Sequence, residues 1–357
     1  MNTFTQITHT DLRSIIRKIE RQRTLVVLGP QAFRRQDGTV LQTGLKPYLE
    51  EKAGKYILKY YPTEDFYLFN KGGRTITSEF VATYYEEMEP DDSILKLAQI
   101  PFHIYLTFTP GLFVPKAFEQ EGFSYQFDFA NKSAHQPSKI KPPTGQQPLI
   151  YNLFGSITEE ESLILTHNDL YAYFKSVFER RSMPTILREA LEKVNCFIFL
   201  GLPFEKWYMQ MLLRELGIHK SSEDFIRFAA KQSLSDEIMT FCYDQFTINF
   251  VDHHVEEFID LLYDHSSQAG ILRNTSGTNP AEQLKVWIGE GKTEKILENL
   301  QQYLPKSHEW EGELLGLSSR HKRLNRRNRN GVITAEEFDV GLAQINQDIL
   351  EIINEAL

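Results

Sequence analysis

Four stretches of the chain are almost unbroken in apolar character: Leu25 to Leu28, and residues 102–108, 149–154 and 196–200. A strand without a polar face is buried on both sides, which is the condition of strands in a parallel sheet. Between these runs, hydrophobic residues recur at spacings of three and four. Leu12, Ile15, Ile16 and Ile19 follow Thr10 on one face of a predicted helix, and further helices are predicted over residues 78–88, 168–180, 184–193 and 205–216. Buried strands that alternate with amphipathic helices predict an α/β fold with a Rossmann-like, doubly wound, mainly parallel sheet. Residues 131–148, rich in Lys, Ser, Pro, Gly and Gln, break the pattern and predict an exposed loop or hairpin insertion.

The pattern changes after residue 265. Residues 266–279 end in Asn274-Thr275-Ser276-Gly277-Thr278-Asn279 and read as a linker, with a helix start at Pro280. No β-branched run follows, and helices are predicted over 281–290, 292–303, 309–329 and 334–356. In the last of these Phe338, Leu342, Ile345, Ile349, Ile352 and Ile353 form a stripe at spacings of three and four. Asn330-Gly331 stops the preceding helix, and Thr334 with Glu337 forms a capping box for the last. The expected organisation is therefore an α/β domain over residues 1–265, a linker over 266–279 and an all-α helical domain over 280–357.

Composition narrows the function classes. At 357 residues the chain exceeds what one hydrophobic core usually serves. A formal net charge of -9 argues against general binding to nucleic acid or an anionic membrane surface. The basic run Arg320 to Arg329 lies at a helix C-terminal end, where the dipole favours cations, and acidic Glu336, Glu337 and Asp339 begin the next helix. It reads as a solvated or domain-contact face, and nucleic acid is not expected as a partner. Cys196 and Cys242 offer neither a disulfide framework nor a zinc pattern, which fits a reducing compartment. The polar first residues lack a signal-peptide pattern, and no apolar run approaches the roughly 18 to 20 residues that cross a bilayer. A cytoplasmic protein without membrane attachment is expected. His103, His167 and the pair His253-His254 read as structural or solvent-exposed; neighbours on a helix point about 100° apart, so the pair predicts no metal site.

The segments that follow the buried runs carry the candidate chemistry. Leu28-Gly29-Pro30-Gln31-Ala32 follows the first, and a glycine at a strand end lets the backbone approach a phosphate or ribose. With it come Ile104-Tyr105-Leu106-Thr107-Phe108-Thr109-Pro110-Gly111, then Tyr151-Asn152-Leu153-Phe154-Gly155-Ser156-Ile157, then Phe199-Leu200-Gly201-Leu202-Pro203-Phe204. In order, spacing and strand-end position these resemble the sirtuin-like domain family over residues 11–263, in particular its divergent bacterial branch used in defence against phage. The resemblance implies a nicotinamide dinucleotide (NAD) or an ADP-ribose-like nucleotide at the strand ends. The cofactor-binding positions it implies are Gly29, Pro30, Gln31, Ala32, Thr107, Thr109, Gly155, Ser156, Gly201 and Leu202.

The same resemblance marks departures. Where catalytic members of the family place an asparagine, this chain has Thr109. Where they place the histidine that acts as general base on the ribose, it has Phe154, and a phenyl ring can neither accept nor donate a proton. Lys206 replaces a carboxylate, and Pro30 has no amide hydrogen to offer. No catalytic residue is therefore expected at these degenerate positions, and a rebuilt site around Asp128, Glu119 or His103 is the enzymatic alternative, an NAD glycohydrolase.

The C-terminal helices, with Leu284-Lys285-Val286-Trp287-Ile288, residues 315–327 and Gly331-Val332-Ile333-Thr334, resemble the bacterial effector-associated domains, which are helical adaptors. That resemblance implies self-association and recruitment of another effector-associated or defence protein. The combined expectation is an anti-phage scaffold or sensor, a pseudoenzyme with an adaptor domain.

Overall fold

A computed structural model of the chain describes residues 4–35, 37–131, 139–178, 183–219, 224–273, 280–289, 293, 296–297, 300, 308–329 and 332–356. The chain divides into two compact units, Met1–Arg273 and Asn274–Leu357.

In the first unit β1 (Thr24–Leu28), β4 (Ile104–Thr107), β6 (Leu149–Asn152) and β7 (Cys196–Leu200) occupy the four apolar runs and are buried at every position. They form the centre of a seven-stranded sheet of order β5-β6-β4-β1-β7-β8-β9, every pairing parallel. The remaining strands are β5 (Gln126–Phe129), β8 (Ile226–Ala229) and β9 (Asn249–Phe250). A separate antiparallel hairpin, β2 (Ile57–Tyr61) and β3 (Phe66–Phe69), stands apart from this sheet.

Alternate residues of each central strand feed two cores. Val26, Leu28, Ile198 and Leu200 pack with helices α1 (His9–Glu20), α2 (Leu41–Ala53), α4 (Asp92–Gln99), α5 (Phe113–Gln120) and α10 (Val255–Gln268). Leu25, Val27, Phe197 and Phe199 pack on the other face with α6 (His167–Phe178), α7 (Thr185–Leu191), α8 (Trp207–Glu215) and α9 (Asp236–Phe246). Both faces being covered explains why these strands show no polar alternation. The order also fixes a switch point. From β1 the chain moves to β4 and then beyond it, and returns to place β7 on the opposite side of β1. A crevice at the C-terminal ends of β1 and β7 follows from that reversal, and in open α/β sheets ligands bind there.

Three boundaries differ from the sequence reading. Helix α1 begins at His9 with Thr8 as its cap: the Asp11 amide donates to Thr8 Oγ1 at 3.2 Å and the Thr8 amide to Asp11 Oδ2 at 2.9 Å. Thr8 wins over Thr10 because an acidic partner stands three residues on, whereas Thr10 faces Arg13. Helix α3 (Gly73–Glu86) starts a turn early, after Gly72 at φ +78°. Residues 266–268, read as the start of the linker, continue α10, and Arg273 is buried within the first unit, so that unit extends past 265. The rest of that linker, 274–279, lies outside the described residues. In the predicted insertion, residues 139–148 contain neither helix nor strand, and 132–138 also lie outside the described residues.

The second unit contains α11 (Pro280–Gly289), α12 (His308–Arg329) and α13 (Ala335–Ala356). Its core joins Leu284 and Trp287 of α11, Leu314 and Leu317 of α12, and Ile345, Ile349, Ile352 and Ile353 of α13, together with Ile296, Leu297 and Leu300. Those last three, with Thr293, are the described part of the helix predicted over 292–303, and all four are helical. The capping box forms, with the Thr334 amide donating to Glu337 Oε2 at 2.8 Å and the Glu337 amide to Thr334 Oγ1 at 3.2 Å. The Asn330-Gly331 stop lies outside the described residues. In the basic run Arg320 pairs with Asp348 at 2.5 Å, and Lys322, Arg323, Arg326 and Arg327 are exposed.

Candidate functional site

The loops that leave β1, β4, β6 and β7 meet at one cavity of about 370 Å³. Pro30 and Gln31 come from β1, Phe108 and Pro110 from β4, Phe154 from β6, and Pro203, Glu205 and Lys206 from β7. Four segments distant in sequence are thus gathered at the C-terminal edge of the sheet. The remaining wall is one that the motif segments do not contain: Gln42, Thr43, Leu45 and Lys46 of α2, Val81 and Tyr85 of α3, Leu163 to Leu165, Tyr208 and Met209 of α8, and the hairpin residues Tyr60, Glu64, Asp65, Phe66 and Tyr67.

Phe154 sits in that cavity as one face of an aromatic group. Its ring lies 5.3 Å from Phe108, 5.8 Å from Tyr173 and 5.9 Å from Tyr208, measured between centroids. Phe66 stacks on Tyr208 at 5.7 Å. Edge and tilted contacts of this kind hold rings in fixed positions and leave faces for a further planar group.

The polar part is a single cluster. Asp65, at the left-handed φ of 61° that ends the hairpin turn, accepts from Tyr60 Oη through Oδ1 at 2.5 Å and from Lys206 Nζ through Oδ2 at 2.5 Å. Burial and the Asp65 bond both push the Tyr60 hydroxyl's pKa up, so it stays a donor. Tyr208 Oη donates to the Glu64 carbonyl at 3.3 Å, the Tyr67 amide donates to Leu165 O at 2.9 Å, and His167 Nε2 stands 3.8 Å from Glu64. These contacts fasten the hairpin over the strand ends.

Of the ten cofactor-binding positions read from the sequence, Pro30 and Gln31 line the cavity and the other eight do not. Gly29 and Gly201 are pressed together at the switch point: a β-carbon on Gly29 would stand 2.1 Å from the Gly201 carbonyl oxygen, and one on Gly201, at φ +68°, 2.3 Å from the Ala32 nitrogen. The amides there are spent inside the protein. Gly29 donates to Leu200 O at 2.8 Å, Gln31 to Gly201 O at 3.1 Å and Ala32 to Gly29 O at 3.0 Å, while Pro30 has none. Leu202 is fully buried in the core. Thr107 Oγ1 bonds Asn152 Oδ1 at 2.6 Å and Thr109 O at 3.0 Å, so its work is to hold the β4 loop; Thr109 itself is buried. Gly155, at φ +83°, packs against Ser162, whose hydroxyl receives the Ser156 amide at 2.8 Å. A phosphate cradle needs free amides at the glycine turn. The residues present therefore do not fit the pyrophosphate of a dinucleotide at β1.

The candidates for a rebuilt site lie elsewhere. Neither Asp128, Glu119 nor His103 lines the cavity. Glu119 accepts from Tyr125 Oη at 2.7 Å, and burial holds the pKa of His103 down to about 4. Burial pushes both thiols, Cys196 and Cys242, up to about 12, which leaves them unreactive. Among the described residues no group of three or more metal-ligating side chains occurs. No helix among them is long and apolar enough to cross a membrane.

A doubly wound α/β unit with a strand-end cavity, followed by a helical unit, is the class of protein these features define. Residues 112–234 match the SIR2-like domain family and residues 279–356 match effector-associated domain 11. The chain thus carries a SIR2-like domain and a C-terminal effector-associated domain. Phe154, Gly201 and Lys206 lie inside the first matched span, whereas Gly29, Thr107 and Thr109 precede it. A solved structure described as "Structural Basis for the Mechanism and Regulation of Sir2 Enzymes" is similar over 73% of this chain and 99% of its own, at 10% identity and a TM-score of 0.36. No curated protein matches the chain significantly.

Proposed function

We propose that this chain is a bacterial defence scaffold or sensor, in which a catalytically degenerate SIR2-like unit recognises a small base-containing ligand, a nucleoside or a nucleotide-derived fragment, and the effector-associated unit recruits protein partners and associates with itself. The pairing of the two domains supports an effector-type role, and helical adaptor domains act through association. The observation that carries the noncatalytic part is the place of Phe154. Its ring lines the cavity, at the position where the family resemblance puts the general base, and a phenyl ring forgoes an acid–base contribution of roughly 10²- to 10⁴-fold.

The test is direct. Purified full-length protein incubated with NAD, alone and with cell extract from infected bacteria, is expected to release no nicotinamide above background. Sustained release overturns the reading.

One feature favours a second reading, an active NAD glycohydrolase: Tyr60, Asp65 and Lys206 place ionisable groups inside the cavity. If release occurs and Asp65→Asn abolishes it, that cluster is the rebuilt machinery.

A further inference from the structure

The charges and amides around the cavity narrow the ligand, on the reading above that the cavity is a recognition pocket. We infer that it takes a planar nitrogen heterocycle of nucleoside size, neutral or singly cationic, in preference to any phosphorylated nucleotide.

Three independent features lead there. The first is the donor set. Six amides at the strand ends are bonded internally: Gly29, Gln31 and Ala32 at β1, Phe108 to Leu28 O at 2.9 Å, Leu153 to Thr107 O at 2.8 Å, and Phe204 to Leu202 O at 3.0 Å. A phosphate entering here would meet carbonyls whose donors are already engaged. The Gly29–Gly201 contact also fills the switch point with backbone, so freeing those amides requires breaking the sheet edge.

The second is charge. Both ammonium groups of the lining hold carboxylates, Lys206 on Asp65 at 2.5 Å and Lys46 on Glu50 at 2.9 Å. Glu205 and Glu64 add further carboxylates to the wall. A pyrophosphate would bring two negative charges into a lining whose cations are neutralised and whose acids are in excess, and like-charge juxtaposition is a strong discriminator. A neutral or cationic ring meets no such barrier.

The third is the surface that remains. Phe108, Phe154, Phe66, Tyr208 and Tyr85 line the cavity, and ring faces attract planar and cationic groups. Gln31 and Gln42 supply amide groups of the kind that read the edge of a heterocycle. The cavity's 370 Å³ lies at the low end of small-molecule sites, about 300 to 1,000 Å³, which suits a nucleoside better than a dinucleotide.

Calorimetric titration of the full chain with adenosine, 1-methylnicotinamide, ADP-ribose and NAD tests this. One of the two phosphate-free probes is expected to bind at least about tenfold tighter than ADP-ribose and NAD. Glu205→Lys, at an exposed position, is expected to narrow that gap by about threefold or more. Phe154→Leu, which keeps an apolar side chain but removes the ring, is expected to weaken the phosphate-free probe by about tenfold while leaving the thermal midpoint within a few degrees. If ADP-ribose or NAD binds as tightly as the free rings or tighter, the inference falls and the pocket reading stands. If no probe gives heat, both fall. A phosphate-free probe that binds Phe154→Leu unchanged overturns the assignment to this cavity.

Discussion

At the scale of single residues, the most consequential positions are those where the structure has removed an option. Gly29 and Gln31 donate their amides from the β1 loop to the end of β7, and Phe154 presents an apolar ring to the cavity. Phe154 was legible in the sequence because it falls within a strand-end segment whose pattern is specific. The Gly29–Gly201 contact was not, since each glycine alone reads as an ordinary turn and their meeting depends on β1 and β7 being neighbours. Asp65 and Lys206 illustrate the same limit: 141 positions apart, they become one ion pair only through the hairpin's placement. His103 gives this scale its prediction. It is buried, and its pKa is depressed to about 4 from an ordinary 6.5, burial outweighing a hydrogen bond with the Thr24 backbone. The unfolded chain therefore takes up a proton that the folded one refuses as pH falls from 6.5 towards 4, and stability present above that window is lost within it. Between pH 7 and pH 5 this group alone is expected to remove about 2 kcal/mol. Urea denaturation of the wild type and His103→Gln at both values measures it: the variant should lose about that much less on acidification, and equal losses would show that His103 does not drive the change.

At the scale of elements, legibility followed burial. The four central strands were visible as apolar runs because both of their faces are covered. β5 and β8 were not, since Gln126, Asp128 and Arg227 interrupt them, and β9 is only two residues long. The hairpin went unread because Lys59 and the exposed Leu58 and Leu68 leave no clean alternation, although aromatic runs on both sides of Pro62 to Asp65 are the signal that identifies it afterwards. That omission hid the part of the cavity wall made by Tyr60, Glu64, Asp65, Phe66 and Tyr67. The hairpin has no pairing with the main sheet, so its position rests on the Tyr67 amide bond to Leu165 O and on side-chain fastenings, chiefly Lys206 to Asp65 and Tyr208 to Glu64 O. Lys206→Met keeps the apolar stem and removes the charge. Because Asp65 is partly exposed and keeps Tyr60, the expected global loss is small, about 1 kcal/mol. Locally the effect should be larger: amide hydrogen exchange in residues 57–69 is expected to rise about tenfold while the central strands stay protected. Unchanged exchange there would mean that ring packing and the bonds of Tyr67 and Tyr208 hold the hairpin without Lys206.

At the scale of the whole molecule, the two units have separate cores, and what the sequence placed at 265 the structure places at 273. The reason is one side chain. Arg273 is buried with a guanidinium that meets neutral acceptors: Nε donates to Gly145 O at 2.8 Å, Nη1 to Ile100 O at 2.7 Å, to Tyr105 Oη at 2.9 Å and to Ala98 O, and Nη2 to Phe102 O. Its own amide donates to Gln99 O at 2.7 Å. The cation thereby caps the C-terminal end of α4, where carbonyls are unpaired and the dipole is negative, and packs 4.8 Å from the centre of the Phe118 ring. A lone arginine after a helix end, among Gly, Ser and Asn, carries no sequence pattern that marks it as core, which is why the linker seemed to start earlier. Removing it leaves several buried carbonyls without donors, at about 1 to 3 kcal/mol each, so Arg273→Met in the full chain should destabilise the sheet unit by at least about 3 kcal/mol. Every one of those contacts lies within the first unit. The helical unit's transition, followed by tryptophan fluorescence in a Trp207→Phe background that leaves only Trp287 and Trp310, is expected to stay where it is while the far-ultraviolet signal of the sheet unit moves to lower denaturant. A fragment of residues 1–273 should then outlast one of residues 1–265 by a similar margin, and equal midpoints for the two fragments would show that the segment through Arg273 is a tether and no part of the fold.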